Sequence, residues 1–116
     1  MAITLYGFKS CDTVRNARAW LAAHNVSHTY FDYRAEKLDP KVIDGWFERE
    51  GFEAVLSRNS PVYKALPESE KASMSKAKAK KLMLENTNLI KRPVLDTGKT
   101  LLFGFKAEAY AKALGV

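Results

Sequence analysis

Within its first 33 residues the chain passes from a short apolar strand through an amphipathic helix to a second strand, and that order limits the fold more than any other feature. Residues 3–6, ITLY, are apolar and partly β-branched, and Gly7 ends the run. A helix is expected from Ser10 or Cys11 to about His24. Val14, Ala17 and Leu21, with Trp20 beside them, give it an apolar stripe at helical spacing. Asn25 stops it. Residues 28–33, HTYFDY, are rich in β-formers and read as the second strand.

The middle of the chain reads as helical. Asp39-Pro40 is a helix start, an acidic cap followed by proline in the first turn. Ile43, Trp46 and Phe47 continue that helix and Gly51 closes it. Residues 54–66 are mixed, with Pro61 breaking them. Pro67 with Glu68 and Glu70 opens a short helical turn. Ser73 is the expected cap of a helix over about 74–86, with Ala79, Leu82, Met83 and Asn86 on one face. A strand then starts at Pro93, Thr97-Gly98 turns the chain, and residues 100–103 return as a hairpin. Residues 105–114 form a last helix ended by Gly115. The result is an α/β domain with a mixed sheet and a helical insertion at about 38–89.

At 116 residues the whole chain is expected to be one domain, large enough to bury a core without disulfides or metal. The apolar start, Ala2 to Leu5, is too short for a secretory signal, and no window suits a membrane span. These features point to a soluble cytoplasmic protein with no membrane partner. The net charge is +6, much of it from SKAKAKKLM at residues 75–83. Charge on a helix is ordinarily a solvated face. No aromatic residues interleave with these lysines, so a stacking platform for single-stranded nucleic acid is not suggested. His24 and His28 straddle the end of the first helix and read as surface residues, and no metal cluster is apparent.

Chemistry is concentrated at LYGFKSCDTVRN, residues 5–16, which holds the only cysteine, Cys11. A thiol at the first turn of a helix meets unpaired backbone N–H groups and the positive end of the dipole, and both favour the thiolate. Lys9 and Arg15 add positive potential, and the Thr13 hydroxyl is placed to donate to sulfur. Position alone leaves two readings open, a nucleophile or a buried core thiol. A dithiol redox pair is excluded, because Val14 stands where C-x-x-C needs its second cysteine. A C-x5-R phosphate cradle is excluded by Ala17. With one cysteine the chain cannot resolve its own mixed disulfide, so an outside thiol must complete any cycle. Glutathione is the abundant cytosolic candidate, and its two carboxylates suit basic residues.

Cys11-Asp-Thr-Val-Arg15-Asn16 resembles the C-x-T-x-R-N turn of the glutaredoxin-dependent arsenate reductase family. Leu56-Ser-Arg58-Asn59 resembles that family's second basic motif, and Lys91-Arg92-Pro93-Val94 its R-P-[IV] motif. The three occur in order over nearly the whole chain, closest to the YffB branch, with Spx regulators more distant. The resemblance implies a thioredoxin-like, glutaredoxin-like fold with a four-stranded mixed sheet, and a cis Pro93 facing the cysteine. It implies oxyanion-binding roles for Arg58 and Arg92, and glutathione as co-substrate, with glutaredoxin or a protein disulfide as further partners. Asn16 is expected to brace the loop. The stretch Leu102-Phe103-Gly104-Phe105-Lys106 lacks the further arginine of arsenate reductases, and Lys106 has no planar fork to replace it. Three functions follow as alternatives: a glutathione-dependent thiol reductase, an arsenate reductase, or an Spx-like regulator binding RNA polymerase through the lysine-rich helix.

Overall fold

The computed structural model describes residues 2–116, which form two compact units. One combines the residues up to Lys37 with Arg92–Val116, and the other is Leu38–Lys91. The helical insertion expected at about 38–89 is thus the second unit, extended by two residues.

The first unit is built on four short strands: β1 (Thr4–Gly7), β2 (Thr29–Asp32), β3 (Val94–Asp96) and β4 (Leu101–Phe103), in the order β2-β1-β3-β4. β2 runs parallel to β1, with Gly7 paired to Asp32. β3 is antiparallel to β1, pairing Tyr6 with Val94, and β4 is antiparallel to β3. Helix α1 (Asp12–Ala23) connects the parallel pair, and α7 (Ala107–Leu114) closes the unit. Leu5 and Leu95 point to the same face and bury against Ala17 and Leu21 of α1 and Tyr110 of α7. This is the thioredoxin-like arrangement the resemblance implied.

Local chemistry sets the ends of these elements. Cys11 is the N-cap of α1, and Asn25 stops the helix in a left-handed conformation, φ 55°, which asparagine tolerates. The hairpin turn is closed by Thr97, whose hydroxyl accepts from the Thr100 amide at 2.9 Å, and by Gly98 at φ 88°. Tyr110 donates from its hydroxyl to the Gly104 carbonyl at 2.8 Å, tying the start of α7 to the end of β4.

The close approach of α1 to β1 depends on one missing side chain. A Cβ at Gly7 would stand 2.6 Å from Cγ2 of Val14 and 2.9 Å from Cγ1. Val14 is fully buried. Glycine is therefore required here by space.

The second unit is helical: α2 (Pro40–Glu50), α3 (Phe52–Val55), α4 (Pro61–Lys64), α5 (Glu68–Ala72), α6 (Lys76–Glu85) and a 3-10 turn at Thr87–Leu89. Asp39 caps α2 by accepting from the Lys41 amide at 2.9 Å, with Pro40 in the first turn, as the sequence implies. Ile43, Trp46, Phe47, Val55, Leu56, Ala79, Met83 and Ile90 are buried in this unit.

Two expectations need correction. Pro61 starts a helix instead of breaking one, because Ser60 caps it by accepting from the Val62 amide and proline tolerates the first turn. The cap of α6 is Ser75, not Ser73. The Ser73 hydroxyl instead donates back to the Ser69 carbonyl at 2.8 Å, finishing α5.

The lysine run is also less free than its composition suggests. Of the four lysines on α6, Lys78 pairs with Glu70 and donates to the Ser73 hydroxyl, and Lys80 pairs with Asp44 of α2 at 2.8 Å. Those two ammonium groups join neighbouring helices of their own unit. Lys76 and Lys81 remain exposed on its surface.

Candidate active site

Strand directions bring four segments of the first unit to one end of the sheet. β1 and β2 are parallel and end together, while β3 begins and β4 ends at the same side. The segments 8–11, 33–36, 92–93 and 104–106 therefore lie at the same end of the sheet as the N-terminus of α1. The Arg92-Pro93 bond is cis, Pro93 is buried, and its carbonyl accepts from the Gly104 amide at 2.8 Å.

Cys11 sits at this end and is partly exposed. Its amide donates to the Phe8 carbonyl at 3.2 Å and its carbonyl accepts from the Arg15 amide at 3.0 Å. The side chain makes no capping hydrogen bond. The thiol is therefore not consumed as the cap of the first-turn N–H groups, and the residue is partly open to solvent. The buried-core reading of this thiol is not what the structure has.

The residues around the thiol divide into those that hold the loop and those that face solvent. The Arg15 Nη1 donates to the Lys9 carbonyl at 3.2 Å, and its Nη2 pairs with the Asp12 carboxylate. Arg15 is therefore the brace of the loop, and Asp12 offsets much of the positive potential expected from it. Lys9, Thr13 and Asn16 are exposed. Among the described residues the Thr13 hydroxyl makes no bond to sulfur and the Asn16 amide braces nothing. Arg58 lies in the second unit, exposed just after a bridge pairing Leu56 with Ile90, where Ser57 also donates to the Leu89 carbonyl at 2.7 Å.

Three residues at or near this end were not singled out from the sequence. Arg34 follows β2 and donates from Nη1 to the Ser10 hydroxyl at 3.1 Å. Its guanidinium lies 4.8 Å from the centroid of the Phe8 ring, and Arg92 lies 5.2 Å from the same centroid. The Tyr30 hydroxyl is buried with no hydrogen-bond partner, and the Arg18 guanidinium covers its ring at 4.1 Å. Burial, then the Asp32 carboxylate, raises the Tyr30 pKa, and the Cys11 charge acts in the same direction. Tyr30 thus stays a neutral O–H donor within the electrostatic reach of Cys11. Tyr33 packs edge-on to Phe8 at 5.3 Å, and its buried hydroxyl also lacks a hydrogen-bond partner. The parallel β1-β2 pairing carried the available signal, because it sets whatever follows HTYFDY beside whatever follows ITLYG.

Buried tyrosines give a pH prediction. Burial raises Tyr33 well above its ordinary value and also raises Tyr110. An unfolded tyrosine loses its proton near pH 10 while the buried one keeps it, so the unfolded chain binds fewer protons and stability falls as pH rises. The slope is about 1.4 kcal/mol per pH unit for each protected tyrosine. Denaturant midpoints measured from pH 8 to 11 should hold steady and then drop above pH 10. Tyr33→Phe should shallow the drop.

A thioredoxin-like sheet with one reachable thiol at the first turn of α1 and a cis proline opening β3 defines the class. The chain belongs to the ArsC family, whose model matches residues 6–113. A structure of YffB superposes with a TM-score of 0.91 at 42% identity, covering 97% of this chain and 99% of that one. An arsenate reductase related protein from Brucella melitensis superposes with a TM-score of 0.79 at 35% identity, covering 100% and 97%. An uncharacterised protein of Haemophilus influenzae is 39% identical over 112 residues, 96% of this chain and 97% of its own. The global transcriptional regulator Spx of Streptococcus agalactiae is 29% identical over 108 residues, 91% and 78%. No helix among the described residues is long and apolar enough to cross a membrane.

Proposed function

We propose that the protein is a glutathione-dependent thiol-disulfide oxidoreductase of the cytoplasm, acting through Cys11. The observation that carries this reading is a single, partly exposed cysteine at the α1 N-terminus, at the sheet end where Arg92 and Arg34 both lie over the Phe8 ring. The Cys11 thiolate attacks a disulfide, one sulfur leaves as thiolate, and a mixed disulfide forms on Cys11. With no second cysteine in the chain, glutathione thiolate attacks that bond and frees Cys11. A second glutathione then completes the exchange. The substrate disulfide is reduced and oxidised glutathione is the other product.

Arg92 is assigned to carboxylate binding, Lys9 adds positive potential, and Arg58 of the second unit keeps the oxyanion-binding role that the family resemblance implies. Pro93 shapes the wall beside the sulfur. No metal takes part, and glutaredoxin or a protein disulfide is the further partner. Arsenate reduction is the weaker reading, because the loop after β4 carries Lys106, exposed, in place of an arginine fork. An RNA polymerase regulator is weaker again, since two α6 lysines are engaged within their own unit.

The test is turnover of glutathione coupled to NADPH oxidation through glutathione reductase. A small disulfide should sustain turnover, whereas arsenate should sustain little. Faster turnover with arsenate than with any disulfide would reverse the order of the two readings.

A further inference from the structure

We propose that Arg34 binds a carboxylate of the anionic disulfide or thiol that exchanges with Cys11, and so makes the site select charged partners. The inference rests on the thiol-disulfide reading above and adds to it a residue and a basis for specificity. Arg34 reaches the active-site loop by topology. Gly7 and Asp32 pair at the ends of parallel strands, and Tyr33 donates from its amide to the Gly7 carbonyl at 3.1 Å. The turn that follows is fixed by Asp32. Its carboxylate accepts from the Arg34 amide at 2.9 Å, and its carbonyl accepts from the Ala35 and Glu36 amides. Asp32 is buried, so this turn is anchored in the sheet.

From that turn the Arg34 side chain returns to the thiol loop. It donates to the hydroxyl of Ser10, the residue before Cys11, and stacks on Phe8, three residues before it. Arg92 stacks on the same ring from the start of β3. The two guanidinium groups are therefore no further apart than the sum of their distances to one centroid. A guanidinium over a ring can still donate from its edge, which is how arginine receives carboxylates, and Arg34 has N–H groups left to donate beyond its bond to Ser10. Arg34 is exposed, so a ligand can reach it. Arg15, the arginine nearest in sequence to Cys11, is paired with Asp12 and is a poorer receiver for an incoming anion.

The step concerned is the first exchange. The Cys11 thiolate attacks oxidised glutathione, its S–S bond breaks, a Cys11–glutathione disulfide forms and one glutathione thiolate leaves. Arg34 holds a carboxylate of the glutathione that stays or the one that departs.

The test compares oxidised glutathione with uncharged 2-hydroxyethyl disulfide as partners for Cys11, in the wild-type chain and in Arg34→Ala and Arg34→Gln. The readout is the ratio of second-order rates of mixed-disulfide formation, with thermal unfolding as the control for folding. The wild-type chain should favour oxidised glutathione. Both variants should lower that ratio by at least about tenfold, the worth of one hydrogen bond to a charged group. A merely structural role would move both rates together and leave the ratio alone. A wild-type preference that survives in both variants overturns the role of Arg34 and leaves the glutathione reading standing. A wild-type ratio near one overturns both.

Discussion

Cys11→Ser should eliminate disulfide-exchange turnover, with a loss of more than about a thousandfold, as removing a nucleophile does. The variant should fold normally. Serine is a better helix N-cap than cysteine and is close in size, and the Cys11 backbone bonds to Phe8 and Arg15 do not involve the side chain. The loss would therefore belong to chemistry and not to stability. The assay is the coupled consumption of glutathione with a small disulfide, run beside a thermal melt. Turnover retained within tenfold of wild type would place the chemistry elsewhere, and the chain has no second thiol to supply it.

Gly7→Ala should cost about 1–3 kcal/mol of stability, the usual penalty for forcing extra atoms into a packed site. The added Cβ would stand at 2.6 Å from a Val14 methyl that is fully buried and has little room to move. Replacing glycine also removes flexibility from the unfolded chain, worth about 0.4–1 kcal/mol in the opposite direction, which is too little to offset the clash. A drop of several degrees in Tm is expected. The pair Gly7→Ala with Val14→Ala should be less destabilised than the two single changes together, because the second makes space for the first. Exchange activity should fall as well, since displacing Val14 shifts the first turn of α1, where Cys11 is the cap. Denaturant titration of the wild type and these three variants checks this. An additive result would contradict a close approach of Gly7 to Val14.

The elements legible in the sequence were those with a local cause. The α1 stripe of Val14, Ala17 and Leu21 is buried as read, Asp39-Pro40 starts a helix, and Thr97-Gly98 makes the hairpin turn. Pro61 and Ser73 were misread because proline and serine serve more than one local role. Only the neighbouring residues decide whether proline stops a helix or starts one.

The candidate site was half legible. Cys11 and Pro93 carry local signals, a thiol at a helix start and a proline at a strand start. Arg34 and Tyr30 carry none, because Arg34's bond to Ser10 and Tyr30's pairing with Leu5 join residues more than twenty positions apart. Arg15 differs from its sequence expectation for a related reason. From sequence it adds charge near the thiol, whereas its pairing with Asp12 and the Lys9 carbonyl makes it a strut.

The most direct measurement is the intact mass of the protein after exposure to oxidised glutathione near neutral pH, followed by reduced glutathione. One glutathione should attach, at Cys11 alone, and reduced glutathione should release it completely. A sulfur that takes up no glutathione, or an adduct that reduced glutathione fails to discharge, would contradict a cycle in which an external thiol restores the only thiol of the chain.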